Sequence, residues 1–348
     1  MISNADKILR EVGTDAVLTE AEDLRYYLTG FQSSFGYVLT DKSGSTFYTD
    51  ARYLEAAKTK LAGTGINVEQ YKGDVLNYLK NYKSLALSLK KTYAPEYEKF
   101  KAAGFEIVDS SPAFEKVMAI KSEAEIENIS AACKITDNAF SSLLQRIKEG
   151  MTENEVAAEL EYLMRKGGAS GTSFSTIVAF EENSSVPHHE TGLKKLKFGN
   201  VILIDFGCKV NGYCSDCTRT FLFGDDGKHE EFKKTYEIVL KAQTAVKEQV
   251  KSGYSGKQAD AVARDYFAKF AQDKYFTHSL GHGIGINVHE FPYLSPKSEG
   301  ILSDGMVFSN EPGLYYEGNF GIRIEDTVCL KNGKAVTLTN TDKNLTIL

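Results

Sequence analysis

Val201–Phe221, VILIDFGCKVNGYCSDCTRTF, is the stretch on which the fold of the larger part of this chain turns. Four apolar residues, Val201 to Ile204, run into Asp205, which is the pattern of a buried strand. Asn211-Gly212 is a strong signal for a type I′ hairpin turn, whose two central residues take positive φ. A two-residue loop there pairs residue 210 with 213 and residue 207 with 216. Side chains alternate across a strand. Asp205 and Asp216 therefore share one face as diagonal neighbours, roughly 7–8 Å apart at the backbone. Two carboxylates so placed repel unless a cation lies between them. A pair of divalent ions about 3.5–4 Å apart fits that gap. The bland alternative is a solvated turn with two ordinary acids.

The pattern recurs. Gly199, Val201, Asp205 and Gly207 reappear as Gly305, Val307, Glu311 and Gly313, always 106 residues later. Lys148–Thr152 likewise matches Lys251–Ser255. Four matches at one offset point to an internal duplication, so two related α/β halves are expected, each sending an acid from the end of an apolar strand. The second acidic pair is Glu311 and Glu325. Asn310-Glu311-Pro312-Gly313 ends one strand, and Gly321–Asp326 (GIRIED) alternates as another. Arg323 shares a face with Glu325, placed to pair with a site carboxylate or to reach a substrate; a surface salt bridge is its bland role. Between the halves, His278-Ser-Leu-Gly-His282-Gly-Ile-Gly and Val288-His289-Glu290 hold three of the six histidines. Histidines in such a cluster serve as metal ligands or proton carriers.

The bulk numbers describe an ordinary globular protein. The chain has 348 residues, 42% hydrophobic and 25% charged, with a net charge of −6. That length suits two domains, and the acidic balance argues against a nucleic-acid partner. No apolar run approaches the roughly 20 residues of a membrane helix. The polar N-terminus lacks a signal-peptide core, and the few cysteines fit a reducing compartment, so a cytoplasmic protein is expected. In the hairpin register, Cys214 lies on the face of Asp216 while Cys208 and Cys217 lie on the other. One metal cannot easily gather all three, and they read as packing residues. Gly281, Gly283 and Gly285 form no complete nucleotide-loop signature.

Residues before about 110 alternate strands with helices. Strands are expected at 16–18, 35–39, 45–48, 66–71, 85–89 and 106–108, with a turn at 41–44 and a helix at 51–61. Asp109-Ser-Ser-Pro112 reads as punctuation. The expected division is a small α/β domain over 1–112, a linker over 113–121 and a second domain over 122–348. Capping boxes at Ser122/Glu125 and Thr152/Glu155 open two helices of the second domain. Residues 231–250 form a further helix, and Ser255 opens the next.

The order Asp205, Asp216, His282, Glu311, Glu325, carried by IDFGCKVNGYCSDCTRTF, HSLGHGIGINVHE, NEPGLYY and GIRIED, resembles the pita-bread metallopeptidases of peptidase family M24. These include aminopeptidase P, prolidase and methionine aminopeptidase. The resemblance implies an α/β (α+β) architecture, with a creatinase-like N-terminal domain before a pita-bread domain of two related halves. It implies a two-metal site. Asp205 binds one ion, Asp216 and Glu325 bridge both, and His282 and Glu311 complete the other. It also marks His188, in Val186-Pro187-His188-His189, with His289 and His278 as neighbouring catalytic histidines, and Arg323 and His289 as substrate contacts. Four carboxylates and one imidazole balance two divalent ions. Oxygen-rich ligation favours Mn²⁺, with Co²⁺ and Zn²⁺ compatible. A water bridging the ions then becomes a nucleophile, with Glu311 as its general base. LRYYLTGF (24–31) and TDARY (49–53) are similar to the N-terminal domain of aminopeptidase P. The expected activity is therefore that of an Xaa-Pro aminopeptidase, acting on peptides with proline second. Prolidase is the alternative, and a non-catalytic binding protein of the same fold is remote. The resemblance also implies a homodimer.

Overall fold

Six short strands, most of them carrying β-branched or aromatic residues, form one sheet at the start of the chain. A computed structural model describes residues 3–348, which divide into two compact units, the first ending at Met118 and the second running over Ala119–Leu348. In the first unit the elements are α1 (Asn4–Val12), β1 (Ala16–Thr19), α2 (Glu22–Thr29), β2 (Tyr37–Asp41), β3 (Gly44–Thr49), α3 (Leu54–Leu61), β4 (Ile66–Gln70), β5 (Ser84–Leu87), α4 (Ala94–Ala102), β6 (Glu106–Asp109) and α5 (Ser111–Ala119). The strand order is β4-β3-β2-β1-β5-β6. β1-β2 and the β2-β3 hairpin pair antiparallel and the rest parallel. The expected strands are all present, with ends shifted by one or two residues. The helix expected from residue 51 begins at Leu54, because residues 51–53 turn first.

The punctuation at Asp109–Pro112 opens a helix instead of ending a domain. The Asp109 carboxylate accepts from the Ser111 and Leu89 amides at 2.8 and 3.1 Å. Proline is tolerated in the first helical turn, where its missing N–H is not needed. Ala113, Phe114 and Met118 then pack with Ile8, Leu9, Val17 and Leu24. The break between units falls after Met118, inside the expected linker over 113–121, and the residues before it are a helix that buries its apolar face in the first core.

In the second unit each half opens with a helix pair. The elements are α6 (Glu123–Leu144), α7 (Glu153–Lys166), β7 (Gly171–Thr172), β8 (Ile177–Phe180), β9 (Asn200–Phe206), β10 (Cys208–Val210), β11 (Tyr213–Cys214), β12 (Cys217–Phe223), α8 (Glu230–Gln249), α9 (Gly256–Ala268), β13 (Gly281–Gly283), β14 (Glu290–Leu294), β15 (Val307–Asn310), β16 (Gly313–Tyr315), β17 (Gly321–Arg323), β18 (Asp326–Lys331) and β19 (Lys334–Thr337). The capping boxes at Ser122, Thr152 and Ser255 all form. One three-stranded sheet runs β12-β9-β8, and a five-stranded sheet runs β14-β13-β15-β18-β19.

The hairpin register matches the sequence reading. Lys209 pairs with Cys214, Val210 with Tyr213 and Asp205 with Thr218. Asn211 and Gly212 take φ of 46° and 78°, the two positive values of the tight turn. Gly199 and Gly305, the matched residues of the duplication, have φ of 87° and 86° ahead of β9 and β15. Cys208 and Cys217 pack in one core and Cys214 in another. Burial raises these thiols, Cys214 to about 11, which keeps them protonated and unreactive.

A further expectation changes. GIRIED is not a single strand: β17 pairs with β16, whereas β18 joins the five-stranded sheet. Ile324 and Glu325 lie in the break, where the Glu325 amide donates to the Thr218 carbonyl at 3.1 Å. The alternation of faces continues through the break, so Arg323 and Glu325 still point together. Among the described residues no helix is long and apolar enough to cross a membrane.

Candidate metal centre

The ends of β9 and β15 point their acids into a cavity of about 1180 Å³. Its wall includes Asp205, Asp216, His282, Glu311, Arg323 and Glu325, and also His188, His189, His278 and His289. Every site residue expected from the sequence thus reaches one cavity. Carboxylate oxygens of Asp205, Asp216 and Glu325 lie within 4.8 Å of one another. His282 Nε2 lies 3.2 Å from Glu311 Oε1 and 3.7 Å from Asp216 Oδ2. Its Nδ1 faces the Gly283 carbonyl at 3.3 Å. That second bond is the usual anchor of a metal-binding imidazole, since it leaves the other nitrogen's lone pair free.

Electrostatics set these groups at odds. Burial, then the charges of Glu325, Asp205 and Glu311, pushes the Asp216 carboxyl well above its ordinary range. Burial and the charges of Glu311 and Asp205 do the same to Glu325. Burial also raises Asp205, against the pull of Arg323. Glu311 goes the other way: burial would raise it, but the hydrogen bond and charge of His282 bring it down to about 2. Burial lowers His282, and Glu311 more than reverses that. Asp205 Oδ1 is buried with no hydrogen-bond partner. Crowded buried carboxylates with an orphaned oxygen need cationic partners. The donor set, four carboxylates and one imidazole, fits hard or borderline divalent cations.

Arg323 supplies part of the positive charge. Its guanidinium is 3% exposed and donates to Asp205 Oδ2 at 2.7 Å, to the Tyr315 hydroxyl at 2.7 Å and to Thr218 Oγ1 at 3.0 Å. Of the two roles foreseen for Arg323, pairing with a site carboxylate is the one its contacts display. His278 Nδ1 lies 2.8 Å from the Ser279 carbonyl, so it carries the proton, and Nε2 lies 2.9 Å from the Tyr315 hydroxyl. Burial lowers its pKa, leaving it a neutral acceptor for Tyr315. His289 packs against His282 with ring centroids 4.0 Å apart and the planes tilted by 45°. His188 and His289 are exposed to the cavity.

Three functional neighbours escaped the sequence reading. Thr218 donates to Glu325 Oε2 at 2.6 Å. Ser309 donates to Glu311 Oε1 at 2.9 Å and accepts from the His282 amide at 3.0 Å. Tyr315 links Arg323 to His278. Thr218 and Ser309 stand two residues from Asp216 and Glu311, so strand alternation could have found them. Tyr315 gave no such signal.

Gly281 admits the close approach that holds His282. A methyl group there would lie 2.0 Å from the Ser309 carbonyl oxygen. Gly281→Ala is therefore expected to push β13 from β15, at an overpacking cost of about 1–3 kcal/mol. The shift displaces His282 from Glu311, and kcat should fall about 100-fold. Turnover measured beside circular dichroism checks this; a fully active alanine variant would contradict it.

Comparison with known proteins places the chain. Residues 127–332 match the model of metallopeptidase family M24, and residues 1–120 match the creatinase/prolidase N-terminal domain. The chain belongs to metallopeptidase family M24, and it is a hydrolase with a creatinase-type N-terminal domain ahead of the family's mixed α/β domain. It is 37% identical over 337 residues to an Xaa-Pro dipeptidase of Pyrococcus horikoshii, covering 95% of this chain and 94% of the relative. The solved Xaa-Pro dipeptidase from Bacillus anthracis superposes with a TM-score of 0.94 at 35% identity, covering 99% of both chains. An X-Pro aminopeptidase structure from Thermotoga maritima gives 0.91 at 35% identity, covering 99% of this chain and 100% of that one.

Proposed function

We propose that this chain is a dinuclear metal-dependent prolidase, hydrolysing the bond between an N-terminal residue and a following proline in dipeptides. The observation that carries it is the convergence of Asp205, Asp216, His282, Glu311 and Glu325 on one cavity wall. The dipeptidase reading replaces the aminopeptidase expected from the sequence, because relatives matching nearly the whole chain bear the name Xaa-Pro dipeptidase. The aminopeptidase reading keeps the support of relatives that bear that name, the Thermotoga maritima structure among them.

Asp205, Asp216, His282, Glu311 and Glu325 would hold two divalent cations. Mn²⁺ suits so many oxygen donors. When bound, such cations polarise a carbonyl and acidify water near neutral pH. Glu311, oriented by Ser309, takes the proton of the attacking water as general base. His188 and His289, open to the cavity, donate hydrogen bonds to the oxyanion that develops on the scissile carbonyl. His278 acts through Tyr315 and Arg323, and Arg323 serves the substrate by fixing Asp205. A cytoplasmic homodimer completes the proposal: five buried cysteines without a disulfide suit a reducing compartment, and the dimer is carried over from the family resemblance.

An Xaa-Pro dipeptide assayed beside an Xaa-Pro-Yaa tripeptide with Mn²⁺ present tests the substrate. The dipeptide should have the higher kcat/KM by about tenfold or more, a difference of about 1.4 kcal/mol in transition-state binding. Efficient cleavage of the tripeptide with none of the dipeptide would restore the aminopeptidase. Unchanged activity after full chelation would remove the metal from the scheme.

A further inference from the structure

We infer that Glu153 is a positioning residue for the reaction, acting through His188; the inference rests on the role given to His188 above. Glu153 is the first residue of α7, and its side chain is 0% exposed. The helix cap does not use it, since Thr152 and Glu155 make the capping box. Its carboxylate points inward and collects four donors. One oxygen accepts from the Phe180 amide at 2.9 Å and from Asn183 Nδ2 at 2.8 Å. The other accepts from the Gly192 amide at 3.0 Å and faces His189 Nε2 at 3.0 Å.

These donors share one segment. Phe180 and Gly192 bracket it, Asn183 lies in its first turn, and His189 follows the tip. The tip, Pro187-His188, lines the cavity. A buried carboxylate is costly unless its lone pairs are satisfied, so four donors from one loop fix that loop's shape. The start of the loop is also tied by Glu181, which accepts from Asn200 Nδ2 at 2.8 Å and the Val201 amide at 2.9 Å. Nearer the tip, the ties besides Glu153 include Ser184 Oγ to the Gly321 amide at 2.9 Å and the Pro187 carbonyl to Arg323 at 3.5 Å. Glu153 touches none of the five candidate ligands, so it sets where His188 stands without holding metal. His189, which the sequence left without a part, is one of the four donors.

The test is a double-mutant cycle on the Mn²⁺-loaded protein with an Xaa-Pro dipeptide. In Glu153→Gln an amide N–H faces the Gly192 amide and His189, so the clamp opens on that side. The variant should lose about 100-fold in kcat, the usual effect of a misplacement near 1 Å, with KM within about threefold. Metal content by mass spectrometry should be unchanged. In the His188→Ala background the same substitution should change kcat by no more than about twofold, since non-additivity is the mark of two residues acting as one. Equal losses in both backgrounds, or no loss in the parent, overturn the inference. Asn183→Ala removes one donor and leaves Glu153 in place, so it carries the same cycle if Glu153→Gln fails to fold; its loss must also vanish without His188. If His188→Ala alone leaves kcat unchanged, the histidine's assigned role fails, and this inference fails with it. A slow His188→Ala beside a fully active Glu153→Gln overturns the Glu153 inference alone.

Discussion

Asp216→Asn is expected to lower kcat/KM by about 10³-fold or more, and to leave the purified protein with less than its full complement of divalent metal. The magnitude follows from the several kcal/mol that metal ions contribute to hydrolysis, at 1.36 kcal/mol per tenfold. Asp216 is 4% exposed and sits between Asp205, Glu325 and His282. Asparagine keeps the shape but removes one negative charge and one anionic oxygen. The same substitution relieves repulsion among the buried carboxylates. The apo variant should accordingly be no less stable than the apo parent, while activity collapses. Metal content, apo-protein melting and kinetics measured together check this. Full metal occupancy with parental turnover would show that Asp216 is not a ligand.

Asp326→Ala should produce the largest loss of stability, about 3–5 kcal/mol, because it strands a buried cation. Asp326 follows Glu325 and is 0% exposed. It accepts from Arg219 at 2.8 Å, Gln243 at 2.7 Å, Thr339 at 2.9 Å and Lys343 at 2.6 Å. Arg219 is 2% exposed and also donates to the carbonyls of Thr218, Thr341, Asp342 and Glu325. This network ties β12 and the C-terminal segment to the break that presents Glu325. Removing the aspartate leaves the guanidinium without a counter-charge. Burial raises the Asp326 carboxyl, but Arg219 and Lys343 hold it below its ordinary value. A urea titration should show a lower midpoint with an unchanged slope. A loss under about 1 kcal/mol would mean that the surrounding carbonyls alone compensate Arg219.

The reach of sequence reasoning differed from element to element. The hairpin from Val201 to Phe221 was legible to the residue, because strand period and the Asn211-Gly212 turn together leave one register. The duplication was legible because both halves keep the same glycine and acid around one strand. GIRIED misled, because its alternation persists while the backbone changes sheets; which carbonyl takes the Glu325 amide depends on Thr218, more than a hundred residues away. The stop at Pro112 misled because Ser-Pro can begin a helix as readily as end a strand.

By itself, the sequence determined which side chains carry charge, which strands carry them and which face they take. Those are local consequences of chirality, of side-chain alternation and of one turn type. Only the tertiary structure decided what lies across the cavity. It brought His188 and His282 to one wall, gave Arg323 to Asp205 and Tyr315, and turned Glu153 inward to grip the loop of His188. Such pairings join residues far apart in the chain, and they arise when packing of the apolar cores brings the two halves' strand ends together. No window of sequence contains that information, because the free energy that sets it comes from surfaces that meet only after folding.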